Sequence, residues 1–168
     1  RIVDDWLDTT TRSAIEAIYG RIGDWDVSLV KNFKHLFWNK KMFNTDISKW
    51  NVGAAENMLA MFQGANTFNG DLSKWQTAKV TTMYAMFHSA TVFNGNLAKW
   101  DTSSVLSVNR MFIYASAFNS DISKWQTEEI RNMKELFYGA LSFNGDISKW
   151  QTDKVANMAW IFYNSGFT

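Results

Sequence analysis

A chain of 168 residues is long enough to bury a sizeable core as one domain, and 13 Phe, 9 Trp and 8 Met predict that this core is aromatic and sulfur-rich. The formal net charge of +1 argues against a nucleic-acid binder, which needs an excess of Lys and Arg, and no apolar run reaches the ~18 residues of a membrane span. Cysteine and proline are absent, which excludes disulfides and thiolate metal sites and leaves every turn to Gly, Asn, Ser and Asp. No signal-peptide pattern opens the chain, and Arg1 in first place predicts a processed or trimmed polypeptide.

Residues 1–20 follow no repeat. Ile2, Val3, Trp6 and Leu7 recur at helical spacing, as do Ala14, Ile15, Ala17 and Ile18, and Gly20 supplies a helix stop. The segment reads as a helical N-terminal cap, anchored by Trp6, over residues 21–168.

Those residues carry a strict 25-residue period, marked by Trp25, Trp50, Trp75, Trp100, Trp125 and Trp150. About six units follow one another, the last incomplete, within a single domain overall. In each unit apolar residues stand at offsets i, i+3, i+6, i+7 and i+10, as in Val80, Met83, Met86, Phe87 and Ala90. That stripe predicts a short α-helix, capped unevenly by residues such as Ser28, Ser103 and Asp153 or by the threonines at 77, 102, 127 and 152. The following FNGDISKW-type stretch holds one aliphatic (Ile47, Leu72, Leu97, Ile122 or Ile147) between polar neighbours and predicts a very short parallel strand. Strands ~4.8 Å apart beside helices ~8–10 Å apart make a curved stack. The expected fold is therefore an α/β repeat: a right-handed, leucine-rich-repeat-like solenoid of one strand and one helix per unit.

The unit, written W-[DNQ]-[VT]-x-x-V-x-N-M-x-x-M-F-x-x-A-x-x-F-N-G-D-I-S-K and spanning residues 21–168, resembles the repeat of the BspA-like leucine-rich-repeat surface proteins found in mycoplasma lipoproteins and microalgal proteins. The lead-in VDDWL…AIYGRIGDWDVS is similar to the flank of the algal versions. The resemblance implies a surface-exposed interaction module at the cell surface or outside the cell, with no catalytic residues to carry over.

The residues themselves point the same way. His35 and His88 lie two units apart with no acid or nucleophile fixed beside either, so no catalytic, cofactor-binding or metal-ligating residue is assigned. The carboxylates Asp46, Asp71, Asp121 and Asp146 supply one oxygen donor group per unit, too few for calcium, and are expected to pair across units with the Lys49 to Lys149 column. Asn44, Asn69, Asn94, Asn119 and Asn144 read as a buried amide ladder, and the tryptophans as core. Candidate partner-binding residues are those that break the period with outward apolar groups: Trp38, Tyr138, Trp160 and Tyr163, with Ile113 in the same column. Tyr138, Trp160 and Tyr163 form either a protein-binding patch or a cover over the last unit, whose Met158, Ile161 and Phe162 are expected to be an exposed edge. The expected function is a non-enzymatic scaffold for protein–protein contact of the surface or adhesion type. The alternatives are an accessory subunit docked in a larger algal organellar or membrane assembly, and, third, a glycan-binding module.

Overall fold

The computed structural model describes residues 2–168; Arg1 and the Ile2 side chain lie outside the described set. Two short helices open the chain, α1 (Ile2–Leu7) and α2 (Arg12–Tyr19), the second stopped by Gly20 at φ 73°. Val3 and Trp6 are buried, and α1 is tied to α2 through Trp6. The Trp6 indole N–H donates to Glu16 at 3.2 Å, while Arg12 lies 4.6 Å over the Trp6 ring. A 3-10 turn (Ile22–Asp24) then leads into the repeats.

The helix and strand expected in every unit are both absent. Among the described residues there is no α-helix after Tyr19 and no strand, only single parallel bridges linking Asn32, Asn57, Thr82, Ser107, Asn132 and Asn157 in succession. This overturns the α/β leucine-rich-repeat-like solenoid. Each unit is instead a chain of β-turns. In the second unit, Met61 N–H bonds back to Met58 O and Ala65 N–H to Phe62 O, with the third residues of these turns, Ala60 and Gly64, at φ 51° and 71°. Positive φ at that position is the mark of type II turns and is incompatible with a right-handed helix. The groups between them bond outward: Met58, Ala60, Phe62 and Gly64 donate to Thr82, Tyr84, Met86 and His88 of the next unit at 2.8–3.1 Å. Half the backbone thus closes turns while the other half joins units, which satisfies every N–H of the segment without a helix.

The misreading has a physical cause. Turns that advance by three or four residues place apolar side chains inward at the same offsets as a helix, so the periodicity is shared. A ten-residue helix would also be unstable by itself. The expected strand fails similarly: Trp50 N–H bonds to Ile47 O in another turn, and Asp46 accepts from Ser48 N–H at 2.9 Å. The ladder between units therefore runs on the side where helices were expected.

Ring stacking fills the interior. Phe37, Phe62, Phe87, Phe112, Phe137 and Phe162 form one column with successive centroids 5.5–5.8 Å apart. Phe43, Phe68, Phe93, Phe118, Phe143 and Phe167 form a second, and the two meet within each unit at 3.7–4.2 Å. Each buried ring contributes ~1.5–3 kcal/mol from burial and each well-placed pair a further ~0.5–1.5 kcal/mol. The tryptophans seal the other flank. Trp50, Trp75, Trp100 and Trp125 are buried, and their indole N–H groups donate to the carbonyls of Ile22, Ile47, Leu72 and Leu97 in the preceding unit.

The polar columns serve the turns. Thr77, Thr102 and Thr127 are buried, and each hydroxyl donates to a carbonyl of the next unit rather than capping a helix. The asparagine ladder exists, but it is exposed: Asn44, Asn69, Asn94 and Asn119 each accept the N–H of the asparagine 25 residues on at 2.8–2.9 Å. Asp46, Asp71, Asp121 and Asp146 accept the N–H of the serine two residues later, and among the described residues none of the four forms the expected ion pair with the lysine column, whose Lys49 reaches Asp24 instead at 3.6 Å.

Those serine bonds hold the four carboxyls below their ordinary pKa of 3.8, the backbone N–H contributing most and the hydroxyl next. A carboxyl whose pKa is lower in the folded state stabilises the fold above its unfolded pKa, and that contribution is lost as pH falls through the folded value. The melting temperature should therefore begin to drop below about pH 4. Replacing all four by Asn should flatten that drop, because Asn96 already makes the same turn bond, to Ala98 N–H at 3.0 Å. Equal pH slopes from pH 6 to 2 in thermal melts of the two proteins would show that these carboxyls do not contribute.

Candidate interaction surface

The run of turns from the bridge residue to the second phenylalanine column presents its outward side chains on one flank of the stack. In the second and third units this flank is plain, with Ala60, Gly64 and Ala85 at the left-handed positions. Later units put large side chains there: Arg110 at φ 61°, Tyr114 at 56°, Glu135 at 55° and Trp160 at 59°. Bulky residues pay ~1–2 kcal/mol in that region, and here the strained positions coincide with a cluster of polar and aromatic groups.

The polar part is centred on Glu135, which is 8% exposed. Arg110 Nε donates to Glu135 Oε2 at 2.6 Å, Arg110 Nη1 to the Tyr84 hydroxyl at 3.4 Å, and Lys134 Nζ lies 3.4 Å from Glu135 Oε1. The bond from Arg110 is the main cause that lowers the Glu135 carboxyl pKa. Asn109 Oδ1 is buried without a hydrogen-bond partner. Half-buried His88 is held below its ordinary pKa, first by burial and then by the nearby Arg110.

The aromatic part adjoins it. Tyr114 meets Tyr138 edge-on at 5.4 Å, and Tyr138 stacks on Tyr163 at 4.9 Å. Trp160 lies 5.7 Å from Tyr163 and 6.2 Å from Tyr138. Gly139 makes room for this group, since a Cβ there would collide with the Tyr114 ring. Trp160 is 64% exposed and Tyr163 58%, so the rings are presented to solvent.

Of the residues singled out from the sequence, Tyr138, Trp160 and Tyr163 come together. Trp38 does not join them; it sits on the same flank four units away, exposed, with His35 as its ring neighbour at 5.6 Å. Ile113, read as outward, is buried. Met158 is exposed, whereas Ile161 and Phe162 are half-buried, with Phe162 stacked on Phe137 and Phe167. Tyr114 was missed because its column holds Asn39, Gly64, Ser89 and Gly139, which reads as a turn column. A large aromatic at a left-handed turn position was the available signal.

No helix of the described residues is long and apolar enough to cross a membrane. The period and the stacked turns define a repeat protein. Residues 8–112 and again 96–167 match the family described as Mycoplasma protein of unknown function, DUF285, and the chain belongs to that family. Neither a curated protein nor a solved structure matches it.

Proposed function

We propose that the chain is a non-enzymatic repeat scaffold for protein–protein contact, a BspA-like module of the surface or adhesion type, located at the cell surface or outside the cell. The observation that carries this reading is the contiguous aromatic platform in which exposed Tyr114, Trp160 and Tyr163 surround half-buried Tyr138. Trp and Tyr are the side chains that most often dominate interface energetics, since they offer large rigid area at low entropy cost. A strained backbone under such a platform supports a binding role, because turn geometry alone is met by Ala and Gly in other units. The resemblance of the repeat to surface proteins supports the location.

The test is Trp160→Ser with Tyr163→Ser, its fold verified by circular dichroism, compared with wild type in capture of proteins from a cell-surface fraction. The captured protein, once purified, should bind the double variant at least ~30-fold more weakly in calorimetry, as loss of a hot spot of ~2 kcal/mol requires. Unchanged affinity, or capture no different between the two baits, would overturn the reading.

A further inference from the structure

The overall charge of +1 conceals a division between the two flanks of the stack, made by the first, fourth and fifth units. Residues 31–43 and their equivalents at each later period carry seven Lys and Arg against two carboxylates, an excess of five positive charges. Residues 21–30 and 44–55, with the equivalents of the latter, carry eight cations against ten carboxylates. The basic half is the flank that bears the aromatic platform.

Its charges gather in two places. At one end Lys31 pairs with Glu56 at 2.9 Å and Lys40 with Asp4 of α1 at 2.7 Å, while Lys34 and Lys41, in the same unit as exposed Trp38, meet no carboxylate among the described residues. At the other end Arg110 and Lys134 share the single carboxylate of Glu135 next to Tyr138, Trp160 and Tyr163. The units that bear each aromatic group thus carry uncompensated positive charge. Between the ends the flank is uncharged, with Leu59, Gln63 and Tyr84.

Resting on the interaction-module reading above, we propose that this flank binds an acidic polypeptide segment: Asp or Glu side chains against the two cationic groups, and apolar anchors against Trp38 and the Tyr138–Trp160–Tyr163 platform. Charge complementarity of this kind selects the partner and speeds encounter, while the aromatic contacts hold it. Four units at ~4.8 Å each separate the two ends by ~20 Å, which an extended chain covers in ~6 residues. The occupant is a polypeptide rather than a nucleic acid. The cations form two groups instead of a continuous track for phosphates.

The experiment is selection of a phage-displayed library of random 12-residue peptides on the intact chain, followed by fluorescence anisotropy of the labelled winners. Winners should be rich in Asp and Glu. Lys34→Glu with Lys41→Glu should weaken them about tenfold, and added salt should weaken them further. Lys74→Glu with Lys99→Glu, an equal charge change on the opposite flank, should leave them within about twofold. Neutral or basic winners that still need Trp160 and Tyr163 would overturn the acidic chemistry and leave the interaction module standing. No enrichment would overturn both. Equal losses from the two lysine pairs would overturn the flank, and labelled oligo-dT binding more tightly than the winners would assign it to nucleic acid instead.

Discussion

Trp100→Ala is expected to destabilise the protein by about 3–5 kcal/mol, the usual cost of emptying a buried Trp site. Trp100 is 2% exposed and stands in the middle of the stack, 6.4 Å from Trp75 with its ring plane nearly parallel and 6.3 Å from Phe87. Its removal also takes from the Leu72 carbonyl the indole donor at 3.0 Å, leaving it the Trp75 backbone N–H alone, a further ~0.5–1.5 kcal/mol. The neighbouring units cannot close the gap, because each is fixed by its own bonds to the next. Trp100→Phe keeps most of the ring volume and loses only the donor, so it should cost clearly less than Trp100→Ala. Urea denaturation of the three proteins measures both differences; equal midpoints for wild type and Trp100→Ala would refute the seal between units.

The second large effect is expected at Ala85, where the backbone sits at φ 52° and the methyl group is buried. A β-branched side chain is a genuine outlier in that region. Ala85→Val should therefore cost about 2–4 kcal/mol, the sum of the backbone term and overpacking against adjacent units. Ala85 N–H donates to Asn109 O, and Ala85 O accepts from His88 N–H, so a shift that relieves the valine would break a bond between units or the turn itself. Ala85→Gly works in the opposite sense. It removes the left-handed penalty while losing one buried methyl and stiffness in the unfolded chain, and should stay within about 1 kcal/mol of wild type. Had the segment been a helix, Gly would weaken it and Val would be tolerated. The ordering of the two melting temperatures therefore separates turn from helix.

Much of the core was legible. The phenylalanines at 62, 87 and 112 and the tryptophans at 75 and 100 read as interior from their columns, and they are buried. What misled was the backbone between them. Met58, Met61, Phe62 and Ala65 have the spacing of a helical stripe, yet alternate N–H groups that a helix would use internally, those of Met58 and Phe62 among them, go to the next unit. That choice depends on a partner 24 residues away, which local spacing does not encode. The warning lay in the small or turn-prone residues recurring beside the stripe, Ala60 with Gly64 and Ala85 with Ser89. The binding surface was half legible: Tyr138, Trp160 and Tyr163 stood out by breaking the period, whereas the basic flank was invisible in a net charge that averages over both halves.

The bonds between units have one more consequence, for mechanics. They run from each unit to the next, so tension applied between the ends of the chain meets them one unit at a time rather than all together. A unit of 25 residues that lets go releases on the order of 80 Å of extended chain, against the ~5 Å it occupied in the stack. A stack pulled between two attachment points, one at each end, would lengthen many times over before it broke. It would behave as a shock absorber whose links are the turns themselves.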